Sequence, residues 1–172
     1  MIVAICGLPG SGKSTLSRAV ASHLGAEIVA WDDYEAMTQR PPGEVHGWLR
    51  RGAPFDEISA PGLVDRLDEA AGPVVFDTLL GRAWSPAAEI ITYAFWLECA
   101  PDVALARKVA QFLPDAGPAW MLRYLTTYIE LVAPTLAIQR ARVPGLCDFT
   151  LDALEPTDRL LTGLLNHLQS IK

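Results

Sequence analysis

Residues 2–15 read Ile2-Val3-Ala4-Ile5-Cys6-Gly7-Leu8-Pro9-Gly10-Ser11-Gly12-Lys13-Ser14-Thr15. The first five are a continuous apolar run, the pattern of a strand buried on both faces of a parallel sheet. Gly7 to Ser14 then fill the pattern Gly-x-x-x-x-Gly-Lys-Ser, and Leu16, Val20 and Leu24 recur at helical spacing up to Gly25. Strand, glycine-rich turn and helix, in that order, are the setting in which this pattern holds a polyphosphate. The glycines let several backbone N–H groups approach phosphate oxygens, and the helix behind them adds the positive end of its dipole. Gly7, Pro9, Gly10, Ser11, Gly12, Lys13, Ser14 and Thr15 are therefore the candidate nucleotide-binding residues. Lys13 is expected to reach the β- and γ-phosphates and the Ser14 hydroxyl to ligate Mg²⁺, which makes ATP and Mg²⁺ the expected cofactors.

The chain around this loop has 172 residues, enough for a single domain with a substantial core, and we expect one domain over 1–172. It is 51% hydrophobic and 20% charged, which excludes a disordered or low-complexity protein. A net charge of −6 speaks against binding to a nucleic-acid backbone. Cys6, Cys99 and Cys147 are widely spaced in apolar stretches, so we expect reduced, buried thiols and neither a disulfide framework nor a zinc site. The stretch before Gly7 is too short for a signal-peptide core, and no uncharged apolar run approaches the length of a bilayer span, so we expect a cytoplasmic protein without membrane contact.

A nucleotide loop does not say what receives the phosphate. No Asn-Lys-x-Asp occurs, as a guanine-reading GTPase would need, and no Leu-Ser-Gly-Gly, as an ABC-type ATPase would need. The remaining reading is a kinase for a small molecule, which requires a carboxylate at a strand end to orient the acceptor hydroxyl and cations on a closing lid. Residues 26–31 read as a second strand ending in Asp32-Asp33-Tyr34. We take Asp32 as the candidate general base and Asp33 as a helix cap or a neighbour that contacts the acceptor; the competing reading makes both ordinary N-caps.

Gly7 to Thr15, followed about 17 residues later by Asp32-Asp33-Tyr34, resembles the uridine kinase and nicotinamide riboside kinase group of P-loop kinases. Further likenesses follow in order: the acidic segment Pro54-Phe55-Asp56-Glu57, the stretch from Leu97 through Pro101 to Arg107-Lys108, and the stretch from Pro144 to Asp152. The resemblance implies phosphoryl transfer from ATP to a hydroxyl, usually of a nucleoside-like sugar. It places the catalytic aspartate on Asp32, the lysine on Lys13, the magnesium hydroxyl on Ser14 and a lid arginine on Arg107. A second lid arginine of that group falls on Gln111, so Lys108 or Arg123 must replace its charge, or the lid stabilises the transferring group less.

Residues 73–77 form another apolar run ending in an acid, and Asp77 is either a magnesium- or water-positioning residue or a turn former. Residues 38–56 are rich in proline, glycine and arginine, and we read them as an irregular acceptor-binding insertion carrying Arg40, Trp48 and Arg51, with Arg82 as a further acceptor contact. The alternative makes Arg50-Arg51 a solvated helix end. Residues 100–113 and 119–142 should be two helices separated by Pro114–Pro118, with Pro134 kinking the second; this unit is either a lid, over about 101–125, or plain helical packing. A strand at 147–151, a link at 152–156 and a last amphipathic helix complete an α/β architecture: a doubly wound, five-stranded parallel sheet of P-loop nucleoside-kinase type with a helical lid. The expected partner is a small-molecule acceptor, with monomer and homodimer both open. The alternatives are a nucleotide kinase or antibiotic-modifying phosphotransferase, and an ATP-binding regulatory module that hydrolyses slowly.

Overall fold

A computed structural model describes residues 1–170. Five strands, β1 (Ile2–Gly7), β2 (Glu27–Ala30), β3 (Val74–Thr78), β4 (Tyr93–Glu98) and β5 (Phe149–Asp152), form one sheet in the order β2-β3-β1-β4-β5. Every pair is parallel. The doubly wound arrangement read from the sequence is therefore the observed one. β1 is buried at every position, and Phe76, Phe95 and Trp96 beside it are among the largest fully buried side chains. Burial of each such side chain contributes about 1.5–3 kcal/mol relative to exposure, which makes the central strands the rigid base of the molecule.

Helix α1 (Lys13–Leu24) follows the loop and ends where Gly25 adopts the left-handed conformation. It packs on β1, β2 and β3 and against α7 (Thr157–Ser170), whose Leu160, Leu164 and Leu168 face inward. Because all strands run the same way, the ends of β1, β2 and β3 open on one edge of the sheet.

Several local expectations change. The second strand stops at Ala30, and Trp31–Asp33 form a 3-10 turn, so Asp32 and Asp33 are not on extended chain. Nor is the expected irregular insertion irregular, for Pro42–Arg50 is a helix, α2, entered through a proline whose fixed φ suits a first turn. Short helices α3 (Leu63–Asp68) and α4 (Ser85–Ala88) flank β3. The last strand is Phe149–Asp152, two residues beyond its predicted start.

The expected break after residue 113 narrows to one residue. The span α5 (Pro101–Thr127) is two helical stretches meeting at a kink, where Gly117, at φ 72° and ψ 168°, leaves helical geometry, and neither Pro114 nor Pro118 can donate to the helical ladder. Pro118 explains the position, because proline disfavours the helical conformation of the residue before it, and glycine takes the resulting left-handed φ without strain. Pro134 does not produce the expected kink alone. Tyr128–Val132 widen into a π-helical turn before α6 (Ala133–Arg142), which accommodates the hydrogen bond that the proline nitrogen cannot donate.

Candidate active site

The edge where β1, β2 and β3 end carries a cavity of about 960 Å³, closed on its far side by α2, α5 and α6. Pro9, Gly10, Gly12, Lys13, Ser14 and Thr15 line its floor. Gly10 can only be glycine: a Cβ there would lie 2.1 Å from the Ala104 carbonyl oxygen, and its φ is +86°. The close approach seats the loop directly on the first turn of α5.

Two polar groups of the loop lack the partners they need. Ser11 Oγ is buried without a hydrogen bond. Lys13 is nearly buried, and its ammonium, which carries three donors, donates to one recorded acceptor, the Leu8 carbonyl at 3.0 Å. Burial pushes the Lys13 amine below the ordinary lysine value, and the negative charges of Asp77 and Asp32 act against that shift. A phosphate on the cavity would take up the spare donors of the Lys13 ammonium, so the residues present fit an ATP polyphosphate. Ser14, exposed at the start of α1, and Asp77, at the end of β3, are the residues that would hold Mg²⁺.

Asp32 and Asp77 both face the cavity, and both act electrostatically on Lys13. Ala30 and Asp77 are register partners across β2 and β3, which sets the start of the 3-10 turn beside the end of β3. Asp32 is open to the cleft, but the surrounding walls exclude enough water to push its carboxyl above the usual aspartate value. Lys13 lowers it in part and Asp77 raises it further.

The other predicted residues divide. Arg107 lies on the cavity and donates to the Ala153 carbonyl at 3.2 Å, next to a smaller recess lined by Ser11, Thr15, Glu155 and Thr157. That recess is where the sequence reading placed the link between the last strand and helix. Lys108 faces the cavity above the Phe112 ring, 4.4 Å from its centre. Arg40 borders the cavity while donating to the Glu57 carbonyl.

Three predicted positions lie off the cavity, and a fourth is built into its wall. Asp33 is exposed but does not line the cavity, because successive residues of a 3-10 turn diverge. Arg51 points away from it and pairs with Glu57 at 2.5 Å. Arg82 is a structural cross-link, donating to the Leu146, Ile91 and Thr92 carbonyls and to Asp148. Trp48 lines the cavity, is 2% exposed, packs against Phe55 and donates Nε1–H to the Pro54 carbonyl, so it forms a fixed part of the wall.

Helix α5 contributes a cluster that the sequence reading did not assign as a site. Phe112, Trp120 and Tyr124 cluster on the cavity, with Trp120 and Tyr124 stacked at 5.3 Å and 6°. Spacing of four residues between Trp120 and Tyr124 was the available signal, and it reads equally as core packing. Gln139, also on the cavity, comes from α6. Of the thiols, Cys6 and Cys99 are buried and Cys147 is half-buried, all three free. A hydrogen bond with Cys147, together with burial, holds the Cys6 thiol well above the ordinary range.

Three comparisons place this geometry among known proteins. The family model described as an AAA domain matches residues 3–111, more than half of the chain. No protein of curated function matches the sequence. Among solved structures, a shikimate kinase from Aquifex aeolicus superposes with a TM-score of 0.57 at 15% identity, covering 99% of this chain and 97% of that one. A gluconokinase from Sinorhizobium meliloti gives 0.56 at 18% identity over 98% and 91%, and a sugar kinase from Janibacter gives 0.60 at 20% over 98% and 94%. These are likenesses of fold, extending over the whole chain. Among the described residues, no helix is long and apolar enough to cross a membrane.

Proposed function

The chain belongs to the AAA-domain family, and from that premise we propose that it is an ATP- and Mg²⁺-dependent phosphotransferase that acts on a hydroxyl of a small metabolite. One observation carries the reading: Lys13 at the start of α1, Asp32 in the turn after β2 and Asp77 near the end of β3 meet on one cavity beside the phosphate loop. The shared fold with sugar, gluconate and shikimate kinases supports it.

The proposed division of labour follows from position. The loop amides and Lys13 bind and orient the polyphosphate, so the transferring group is held in line with an acceptor. Ser14 and Asp77 would hold Mg²⁺, which when bound would neutralise phosphate charge. Asp32 accepts the proton of the acceptor hydroxyl, for which an aspartate raised above its ordinary value is better matched than a free one. Arg107 and Lys108 lie on the lid helix and face the cavity, where they offset charge on the transferring group in place of the arginine that Gln111 replaces. Burial between α2, α5 and α6 excludes water, which favours the alcohol as acceptor.

The finer reading, from the uridine kinase-like motifs, is a nucleoside-like acceptor with its ring against the stacked Trp120 and Tyr124. The domain is then the whole chain, with 38–56 as acceptor wall and α5 as lid, working as a cytoplasmic enzyme. A second reading, a phosphorylated acceptor, is favoured by Arg18 and Arg40 on the cavity. The test is ADP release from Mg·ATP across nucleosides, nucleotides, sugars, amino-alcohols, shikimate and gluconate, run beside Lys13→Ala. One alcohol that raises turnover well above background, and fails with the variant, upholds the proposal; a flat panel with ATP still bound removes it in favour of a regulatory nucleotide-binding module.

A further inference from the structure

Gln139 of α6 is one polar residue that the proposed chemistry leaves unused. It is 2% exposed. Its Nε2 donates to two backbone carbonyls, Gly7 at 3.3 Å and Leu79 at 2.5 Å. β1 and β3 pair in register as far as Cys6 and Thr78, so Gly7 and Leu79 are the residues immediately past that ladder. One side-chain nitrogen therefore continues the tie between the two strands at the point where they part. The strand on one side becomes the phosphate loop. The other has just delivered Asp77.

The choice of residue is informative. A primary amide carries two N–H donors on a single nitrogen, which matches two converging carbonyls, and no apolar side chain can supply them. Both protons go to those carbonyls, and this fixes the orientation of the amide. Its Oε1 is left buried without a partner. A residue selected only to fill space would not carry a lone buried acceptor, since methionine has a similar volume without that penalty. The neighbouring residues anchor the same helix elsewhere. Arg140 pairs with Glu98 at the end of β4, and Arg142 donates to the Gly52 and Ala53 carbonyls behind α2.

We propose that Gln139 is a positioning residue for phosphoryl transfer. Its amide clamps the entry of the phosphate loop to the exit of β3, so that Lys13 and Asp77 keep the separation the transfer needs. The inference rests on the phosphotransferase reading, yet its structural half can be tested without it. Gln139→Met keeps the volume and removes both donors; Gln139→Glu keeps the shape and, when ionised, also removes them.

Each variant is compared with wild type by thermal melting, by binding of a fluorescent ADP analogue, by amide hydrogen exchange without ligand, and by ADP release from Mg·ATP with the best alcohol of the panel above. Both variants are expected to melt cooperatively and bind the analogue within about threefold of wild type, while kcat falls by about 10- to 100-fold and KM for ATP hardly moves. Exchange should accelerate at residues 8–12 and 79–82. Wild-type kcat in Gln139→Met overturns the proposal. So does a loss of analogue binding in step with kcat, which would make Gln139 merely structural. Unchanged exchange overturns the clamp whatever the panel shows. Accelerated exchange together with a flat panel upholds the clamp and removes the phosphotransferase reading instead.

Discussion

Asp32→Asn separates the proposed chemistry from simple packing, because the structure gives its three readouts different directions. The substitution keeps the shape of the side chain and removes the group proposed to take the acceptor proton. Loss of a positioned base costs about 10²- to 10⁴-fold in rate, equivalent to about 3–5 kcal/mol of transition-state stabilisation. Turnover in the ADP-release assay should fall by that factor. Nucleotide affinity should hold or improve, since Asp32 faces the cavity with Asp77 and lies in the field of Lys13, and removing its charge lowers repulsion toward a polyphosphate.

Stability should move the opposite way from activity. The carboxyl is raised above 3.8 by burial, so the folded protein binds this proton more tightly than the unfolded chain. The ionised form therefore disfavours folding at pH above the folded value, and that penalty is relieved as pH falls through it. The asparagine variant escapes the penalty, and its melting temperature at pH 7 should be equal to or above that of wild type. The same shift moves the acid limb of the wild-type kcat/KM profile above 3.8, and the limb should vanish in the residual activity of the variant. Turnover within threefold of wild type, or a lowered melting temperature accompanied by weaker nucleotide binding, would refute the assignment of Asp32 as base.

Three further variants test other parts of the molecule. Gly10→Ala puts a methyl group 2.1 Å from the Ala104 carbonyl, so loop and α5 must separate; affinity for the ADP analogue should weaken at least about tenfold, and a change under twofold would show that the contact is not needed. Arg82→Leu removes a cross-link that joins the turn after β3 to the starts of β4 and β5, and urea unfolding should show a loss of about 2–3 kcal/mol with nucleotide affinity intact. In the same pair, burial would raise the Asp148 carboxyl, but hydrogen bonds from Arg82 and from the Ala94 N–H hold it below 3.8. Its contribution is thus fully present above 3.8 and lost as pH falls through the lower folded value, and unfolding curves of Arg82→Leu between about pH 5 and 2 should show a flatter acid slope than wild type. Trp120→Ala dismantles the stacked pair on the lid; KM for an aromatic acceptor should rise about 5- to 20-fold, and an unchanged KM would remove the lid aromatics from recognition.

What the sequence made legible was local. The phosphate loop declares itself because eight consecutive positions share one backbone task, and the apolar run before it is buried at every residue. Asp32 and Asp77 were chosen because each ends an apolar run, and a parallel sheet sends such ends to one edge, where both line the cavity. Errors arose where local chemistry has two outcomes. The proline and glycine content of 38–56 suggested irregular chain, but the prolines sit at the helix entrance, and Val45, Trp48 and Leu49 then give α2 an apolar side that packs on the core. Arg51 and Arg82 were chosen as cations near a binding segment, and charge at that range cannot distinguish a ligand contact from a cross-link whose partner lies 66 residues away.

The far wall of the cavity was illegible for a deeper reason. Gln139 is meaningful only beside Gly7 and Leu79, 132 and 60 residues distant, and nothing at positions 133–142 announces a polar task. The same turn of α6 sends Gln139 to the entry of the phosphate loop, Arg140 to the end of β4 and Arg142 to the chain behind α2. Such a helix must be amphipathic to pack and polar at its inner end to reach three segments at once, so its pattern is neither a clean apolar face nor a recognisable motif. It follows that the phosphate loop can be read from the order of residues, whereas side chains that tie its entry to distant segments are visible only once the chain has closed on itself. In this fold, side chains reaching back from α6 to strand ends are therefore where further positioning residues should be sought.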